Sequence, residues 1–170
     1  IHITHVFPKH QFAWQVLGAV LGATGRKSEA VDANQIAVTL SPQDAVAHYN
    51  LGNTLKELGR LDEALASYNQ AIALKPDYAE AHSNLGVTLQ ELGRLDEAEA
   101  SYKQAIALKP DYAEAHRMLA SMKKFDAQDE QYANMLSLYL NESIDEKQRC
   151  HINFGLAKAC EDLGDFEQAY

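Results

Sequence analysis

The sequence predicts an all-α protein built as a stack of antiparallel helix pairs. Residues 43–76 and 77–110 align without a gap at a spacing of 34 residues, and 26 of the 34 aligned positions are identical. Within each repeat, apolar residues recur at intervals of three and four, which is the period of an amphipathic helix. Four prolines recur at the same 34-residue spacing and mark the repeat ends, namely Pro8, Pro42, Pro76 and Pro110.

Each repeat is predicted to hold two helices separated by a glycine. In residues 43–76, the first helix carries an apolar stripe that begins at Ala47, and Gly59 ends it because glycine adopts a left-handed conformation at low cost. The second helix runs from Leu61 towards Pro76. Asp77 with Glu80 is predicted to cap the next helix, and Asp111 with Glu114 repeats that pair.

The pattern weakens after Pro110. A first helix is predicted over residues 113–124 and a divergent second helix over residues 129–140. Ser143 with Glu146 is predicted to cap a longer helix that ends near Leu163. The second of these helices is predicted to direct four side chains inward, namely Tyr132, Met135, Leu136 and Tyr139.

We therefore divide the chain, as a single solenoid over residues 1–170, by its repeats. The predicted segments are an upstream tail (1–8), three clear repeats (9–42, 43–76, 77–110), a divergent repeat (111–144) and a truncated repeat (145–170). A solenoid needs polar caps at its ends. No such caps are evident in the sequence, so we expect exposed apolar stripes and end-to-end self-association.

The repeat resembles the tetratricopeptide repeat (TPR). The resemblance rests on residues that recur at fixed positions, namely Leu51-Gly52, Gly59, Ala64, Tyr68, Ala71 and Pro76, and in the next copy Leu85-Gly86, Gly93, Ala98, Tyr102, Ala105 and Pro110. An earlier copy departs from the pattern at Asn34, where the family usually has an aromatic residue. The resemblance implies a right-handed superhelix whose first helices line a concave face.

Gly52 and Gly86 lie where the first helix of each pair should cross the second. A side chain at such a crossing would separate the helices, at a cost of about 1–3 kcal/mol. We therefore expect Gly86→Leu to lower the melting temperature by several degrees.

Composition excludes several classes of function. Lys plus Arg total 15 against 24 for Asp plus Glu, and the resulting net charge of −9 disfavours nucleic-acid binding. No apolar run approaches the 18 residues of a membrane span, and the first residues do not have the pattern of a signal peptide. Cys150 and Cys160 fit neither a disulfide framework nor a zinc site. We expect a cytoplasmic protein with reduced, buried thiols.

No residue pattern points to catalysis, a metal or a cofactor. His48, His82 and His116 occupy one equivalent position in successive repeats, about 10 Å apart, which is too far to share an ion. Cys150 and His151 point about 100° apart on a helix, so a catalytic pair is disfavoured. We expect no enzyme activity from this chain.

Recognition of a protein or an extended peptide remains. By resemblance, the groove residues are Phe12, Gln15, Val16, Ala19, Tyr49, Asn50, Asn53, Lys56, Glu57, Ser83, Asn84, Val87, Gln90, Glu91, Arg117, Met118, Ser121 and Lys124. Asn50 and Asn84 share one position in consecutive repeats, and their amides could pair with a peptide backbone because an amide both donates and accepts. The alternative is that these asparagines simply face water.

Some TPR proteins hold a C-terminal carboxylate with a clamp of Lys, Asn and Arg. Asn53 and Asn84 match the two amides of that clamp, but Tyr49, Glu114 and Met118 stand where its cations belong. An adaptor for carboxylate tails is therefore disfavoured.

Two functions stay open. The first is a bacterial-style TPR scaffold that docks a peptide or protein. The second is the substrate-presenting arm of a larger transferase, since the Asn positions resemble arrays that precede O-GlcNAc transferases. Residues 118–125 and 154–166 in turn resemble the junction in repeat-containing sulfotransferases. In either case the present chain binds and does not catalyse.

Overall fold

The computed structural model describes residues 9–126, 128–141 and 143–164. All regular secondary structure in these ranges is helical, as the sequence predicts. The helices are α1 (Gln11–Ala23), α2 (Lys27–Leu40), α3 (Ala45–Glu57), α4 (Leu61–Leu74), α5 (Ala79–Glu91), α6 (Leu95–Leu108), α7 (Ala113–Met122), α8 (Glu130–Tyr139) and α9 (Glu146–Leu163). The predicted upstream tail and the end of the truncated repeat lie outside the described residues.

The chain forms two compact units, which meet in sequence between Arg94 and Leu95. In the first unit, α1 packs against α2, α2 against α3, α3 against α4, and α4 against α5. In the second unit, α7 packs against α6 and α9, and α8 packs against α9. The predicted helix pairs α1–α2 and α3–α4 are thus confirmed, while the prediction of one solenoid over the whole chain stays a prediction.

Glycine ends the first helix of the pair where the sequence predicts it. Gly59 has a φ of 73° and follows the C-cap of α3, so it supplies the left-handed residue of the turn into α4. Gly164 does the same after α9, also with a φ of 73°.

The core of the second repeat forms around a close approach of α3 to α4. Tyr68 is fully buried, and a Cβ built on Gly52 would lie 2.7 Å from Cε1 of that ring. Ala64 and Ala71 flank the tyrosine on α4 and are also fully buried. The absence of a side chain at Gly52 is therefore what lets the aromatic ring lie against α3.

The predicted Asp–Glu caps are wrong. The N-cap of α5 is Tyr78, without a side-chain cap, because the helix begins one residue later than the Asp77 pattern requires. Tyr112 plays the same part at α7.

Histidine side chains instead form hydrogen bonds across the turns between repeats. His48, His82 and His116 each place Nε2 within 2.9–3.0 Å of the carbonyl oxygen of the proline six residues earlier. The histidines therefore form hydrogen bonds within the repeat array.

The divergent region differs from the prediction in detail. Asp145, not Ser143, caps α9, in a reciprocal capping box with Gln148. In α8, Met135 is fully buried and Tyr132 is half-buried, but Leu136 and Tyr139 are 39% and 37% exposed. These two side chains are not inward because Met135 occupies the contact with α9, where a Cβ on Gly155 would lie 2.5 Å from its Sδ.

Candidate functional site

The candidate site is the face formed by the first helices of the pairs in the first unit. Helices α1, α3 and α5 carry fourteen of the predicted groove residues, from Phe12 to Glu91. The other four lie in the second unit, on or just after α7. A binding role for either set stays a prediction.

The central feature of this face is a hydrogen-bond network, which we call the Tyr49 network (Tyr49, Asn53, Tyr68 and Asn84). The Tyr68 hydroxyl donates to Oδ1 of Asn53 at 2.8 Å. Nδ2 of Asn84 donates to the same Oδ1 at 2.9 Å and to the Tyr49 hydroxyl at 3.1 Å. The rings of Tyr49 and Tyr68 are 6.1 Å apart. The network links α3, α4 and α5 and fixes these side chains before any ligand arrives.

Two tyrosines, Tyr68 in the network and Tyr78 beside it, stay neutral at physiological pH. Burial, with a smaller effect from Tyr49, raises the pKa of the Tyr78 hydroxyl to about 12, and that ring lies 4.9 Å from Tyr49. Burial likewise raises the pKa of Tyr68 well above its usual value. The Tyr68 hydroxyl is therefore a donor to Asn53 and not an anion.

The two asparagines of the predicted ladder are not equivalent. Asn84 donates both of its side-chain N–H bonds within the Tyr49 network, to Tyr49 and to Asn53. Its side-chain oxygen Oδ1 is what this amide can still offer to a ligand. The Asn50 side-chain amide, in contrast, makes no hydrogen bond within residues 9–126, 128–141 and 143–164. Asn50 can both donate to a ligand and accept from it, whereas Asn84 mainly supports its neighbours.

A cavity of about 220 Å³ opens beside Asn50, between α1, α2 and α3. We call it the Asn34 cavity. Its walls include five predicted groove residues, namely Gln15, Ala19, Asn50, Asn53 and Glu57. They also include Gly18, Gly22, Ala23, Asn34 and Thr54, which the groove prediction missed. The signal that could have found the cavity was the loss of the aromatic residue at Asn34.

Polar contacts hold the rim of this cavity. Nε2 of Gln15 donates to Oδ2 of Asp44 at 2.9 Å, and Gln11 donates to the same oxygen. Lys27 pairs with Glu57 across an Nζ–Oε2 distance of 3.6 Å. The remaining predicted side chains on α1 are exposed, with Phe12 at 64%.

The other predicted residues of α3 and α5 differ in their access to solvent. Lys56, Val87 and Gln90 are partly buried and Glu91 is exposed. Ser83 is only 2% exposed, so its hydroxyl does not lie on the surface where the groove prediction puts it.

In the second unit, the predicted residues are held by local contacts. Nε of Arg117 donates to Nδ1 of His151 at 3.1 Å, and the Ser121 hydroxyl donates to the Met118 carbonyl oxygen at 2.7 Å. Lys124 is exposed. These contacts belong to the second unit, whereas the Tyr49 network belongs to the first unit.

The second unit also has an apolar cleft of about 730 Å³ between α8 and α9. Phe154 at its wall is 65% exposed. Cys150 lines the cleft and is exposed, which corrects the expectation that both thiols are buried, while Cys160 is buried as predicted. Cys150 is exposed because its position on α9 faces away from the Ile152 side of the helix, which packs in the core.

In the part of the chain that the structure describes, no helix has both the length and the apolar character needed to cross a membrane.

Comparisons with known proteins identify the repeat. Family models described as TPR repeat or tetratricopeptide repeat match residues 35–66, 52–93 and 79–112. A comparison with curated proteins finds no match.

Several solved structures have a similar fold. The crystal structure of MamA is 22% identical with a TM-score of 0.68, over 99% of this chain and 86% of MamA. The first TPR of Spaghetti (RPAP3), bound to an HSP90 peptide, is 25% identical with a TM-score of 0.65, over 66% of this chain and 89% of that one. The Arabidopsis OM64 TPR domain is 20% identical with a TM-score of 0.65, over 66% and 93% of the two chains. The chain is therefore an all-helical protein that contains tetratricopeptide repeats, which confirms the resemblance seen in its sequence.

Proposed function

We propose that this chain is a non-catalytic scaffold that binds an extended peptide along the first helices of its first unit. The observation that carries the proposal is the uncommitted amide of Asn50, which lines the Asn34 cavity together with Asn53 of the Tyr49 network. The RPAP3 repeat, which was solved with an HSP90 peptide, gives a precedent for peptide binding by a similar fold.

Binding would rest on the peptide backbone. The Asn50 amide offers one donor group and one acceptor, which match the carbonyl and N–H of a peptide unit. The Tyr49 network holds its own side chains in place. These side chains therefore lose little conformational entropy when the peptide docks. Asn84 would add an acceptor for a second peptide N–H.

A C-terminal carboxylate is not the proposed ligand. The amides of Asn53 and Asn84 bond to each other, and Tyr49 accepts the second Asn84 bond where a carboxylate clamp needs a cation. A buried carboxylate would therefore lack a charged partner, which is costly. An internal segment of a partner chain fits this face better.

The test uses an immobilised array of random decapeptides with the purified chain. Asn50→Ala should weaken binding across the array by about 2- to 12-fold, since each net hydrogen bond contributes about 0.5–1.5 kcal/mol. The matched control is Asn69→Ala, which makes the same chemical change at an exposed position of α4. Equal binding by both variants, or no binding by the wild-type chain, would rule out the proposed backbone contact.

The transferase arm is the second function considered. It rests on the resemblance of residues 118–125 and 154–166 to the junction in repeat-containing sulfotransferases. We also propose that the chain acts in the cytoplasm and engages neither nucleic acid nor membrane, as its charge and composition favour.

A further inference from the structure

We infer that the Asn34 cavity binds an arginine side chain of the docked peptide. This inference rests on the proposed function, because it names the side chain that the same face would select. The cavity is lined by Asn50, so a peptide held by the Asn50 amide would place a neighbouring side chain at its mouth.

The cavity exists because Asn34 replaces a tyrosine. In the next repeat, Tyr68 fills the equivalent space against the bare backbone of Gly52. In the first repeat, the glycine is kept as Gly18, but the side chain opposite it is the much shorter Asn34. The difference in side-chain volume leaves space that the rest of the fold does not fill.

The amide of Asn34 forms part of the cavity wall and is held by its neighbours. The residue is 3% exposed, and its Nδ2 donates to the Thr54 hydroxyl at 2.8 Å and to the Asn50 carbonyl oxygen at 3.4 Å. Its Oδ1 points towards Gly18 and has no partner within the described residues. This oxygen packs against the Gly18 backbone with almost no accessible surface, so a ligand in the cavity meets the other polar groups of its wall.

The orientation of this amide follows from its neighbours. The Thr54 hydroxyl donates to the Asn50 carbonyl oxygen at 2.9 Å, so that hydroxyl can only accept from Asn34. A flipped amide would set its oxygen against the Asn50 carbonyl oxygen, and two acceptors repel each other. The nitrogen therefore faces Thr54, and the oxygen faces the cavity wall at Gly18.

The remaining polar groups favour a cation with several donors. Glu57 brings a carboxylate to the cavity. The Lys27 Nζ that pairs with this carboxylate is 3.6 Å from it, beyond hydrogen-bond length, and donates to the Glu57 backbone carbonyl oxygen at 3.2 Å. Asn50 adds a further acceptor. Guanidinium carries five N–H donors and no acceptor, so it can donate to the Glu57 carboxylate and to the Asn50 side-chain oxygen together.

Size and charge agree with this choice. A volume of about 220 Å³ takes one long side chain and falls below the roughly 300–1,000 Å³ of clefts that hold whole small molecules. The chain has a net charge of −9, which draws a cationic peptide to it and opposes an acidic one.

The experiment titrates the isotopically labelled full chain with Nα-acetyl-arginine methylamide and follows its NMR spectrum. We expect saturable shifts of the Asn34 side-chain amide and the Gly18 backbone N–H, with a dissociation constant on the order of 1 mM. The citrulline analogue has nearly the same shape without the charge, and it should bind at least about fivefold more weakly. Glu57→Gln should weaken arginine binding by a similar factor.

Asn34→Tyr is the decisive variant, because it restores the aromatic residue that the next repeat packs against glycine. It should abolish the arginine-dependent shifts, while the control Asn69→Ala leaves them unchanged. If Asn34→Tyr does not fold, the citrulline analogue and Glu57→Gln still decide the matter. Equal binding of the arginine and citrulline probes, or shifts that miss Gly18 and Asn34, would overturn the inference.

The two proposals fail in different ways. If binding to the peptide array depends on Asn50 but the bound peptides are not enriched in arginine, the arginine site is overturned and the peptide-binding scaffold stands. If the arginine probe binds at Gly18 but the chain binds no peptide of the array, the scaffold proposal is overturned and the arginine site stands.

Discussion

The close approach of Gly52 to Tyr68 supports a paired prediction on stability. In Gly52→Ala, the new Cβ would lie 2.7 Å from Cε1 and 2.8 Å from Cδ1 of a ring that is fully buried. Carbon atoms prefer separations of about 3.5–4.0 Å, so the ring or α3 must move by about 0.8 Å or more. The ring cannot easily yield, because its hydroxyl is bonded to Asn53.

The size of the effect comes from two opposing terms. Overpacking of this kind costs about 1–3 kcal/mol. Replacing a helical glycine with alanine regains up to about 1 kcal/mol of helix propensity. Gly22→Ala isolates the second term, because a Cβ on Gly22 meets nothing within 4 Å. The two variants should therefore differ by about 1–3 kcal/mol, with Gly22→Ala at or above the wild type.

Thermal unfolding followed by circular dichroism at 222 nm measures this difference. For a chain of this length, about 2–4 °C corresponds to each kcal/mol, so the melting temperatures should separate by about 2–12 °C. If Gly52→Ala melts at the same temperature as Gly22→Ala or higher, α3 and α4 do not pack as closely as described. Hydrogen exchange at α3 and α4 then checks that any loss is local to this pair.

Three further outcomes are expected. Gly86→Leu, at the equivalent crossing position of the next repeat, should lower the melting temperature by several degrees; an unchanged melt would contradict the helix-pair register. Burial lowers the pKa of His116, partly offset by its bond to Pro110, so the unfolded chain takes up a proton more readily below about pH 6.5. Urea denaturation should accordingly show stability falling from about pH 7 to pH 5, and falling less in His116→Gln. Leu140 is 70% exposed and Phe154 is 65% exposed, and exposed apolar side chains favour self-association. The mass measured by light scattering should therefore rise with concentration in the wild type, and rise less in the double variant Leu140→Glu, Phe154→Glu. A wild-type chain that is monomeric at all concentrations would contradict self-association.

The sequence allowed much of the fold to be predicted, because its signals are local and repeated. The 34-residue period, the apolar stripes and the turn at Gly59 correctly predicted the helix pairs, and the end of α9 near Leu163 was also correct. Rules for helix capping failed where a helix begins one residue later than the sequence pattern indicates. Asp77 carries a capping residue type, but α5 begins too late for it to act as the cap.

The sequence by itself determined that the chain is helical, repetitive and acidic, and that Asn34 breaks the aromatic pattern. Only the tertiary structure decided what that break does. Whether a missing ring leaves a cavity depends on how α1, α2 and α3 close around it, and no spacing along the chain reveals that. The same holds for the two asparagines at one repeat position: Asn84 is committed to Tyr49 and Asn53, whereas Asn50 is not, because their partners come from other helices.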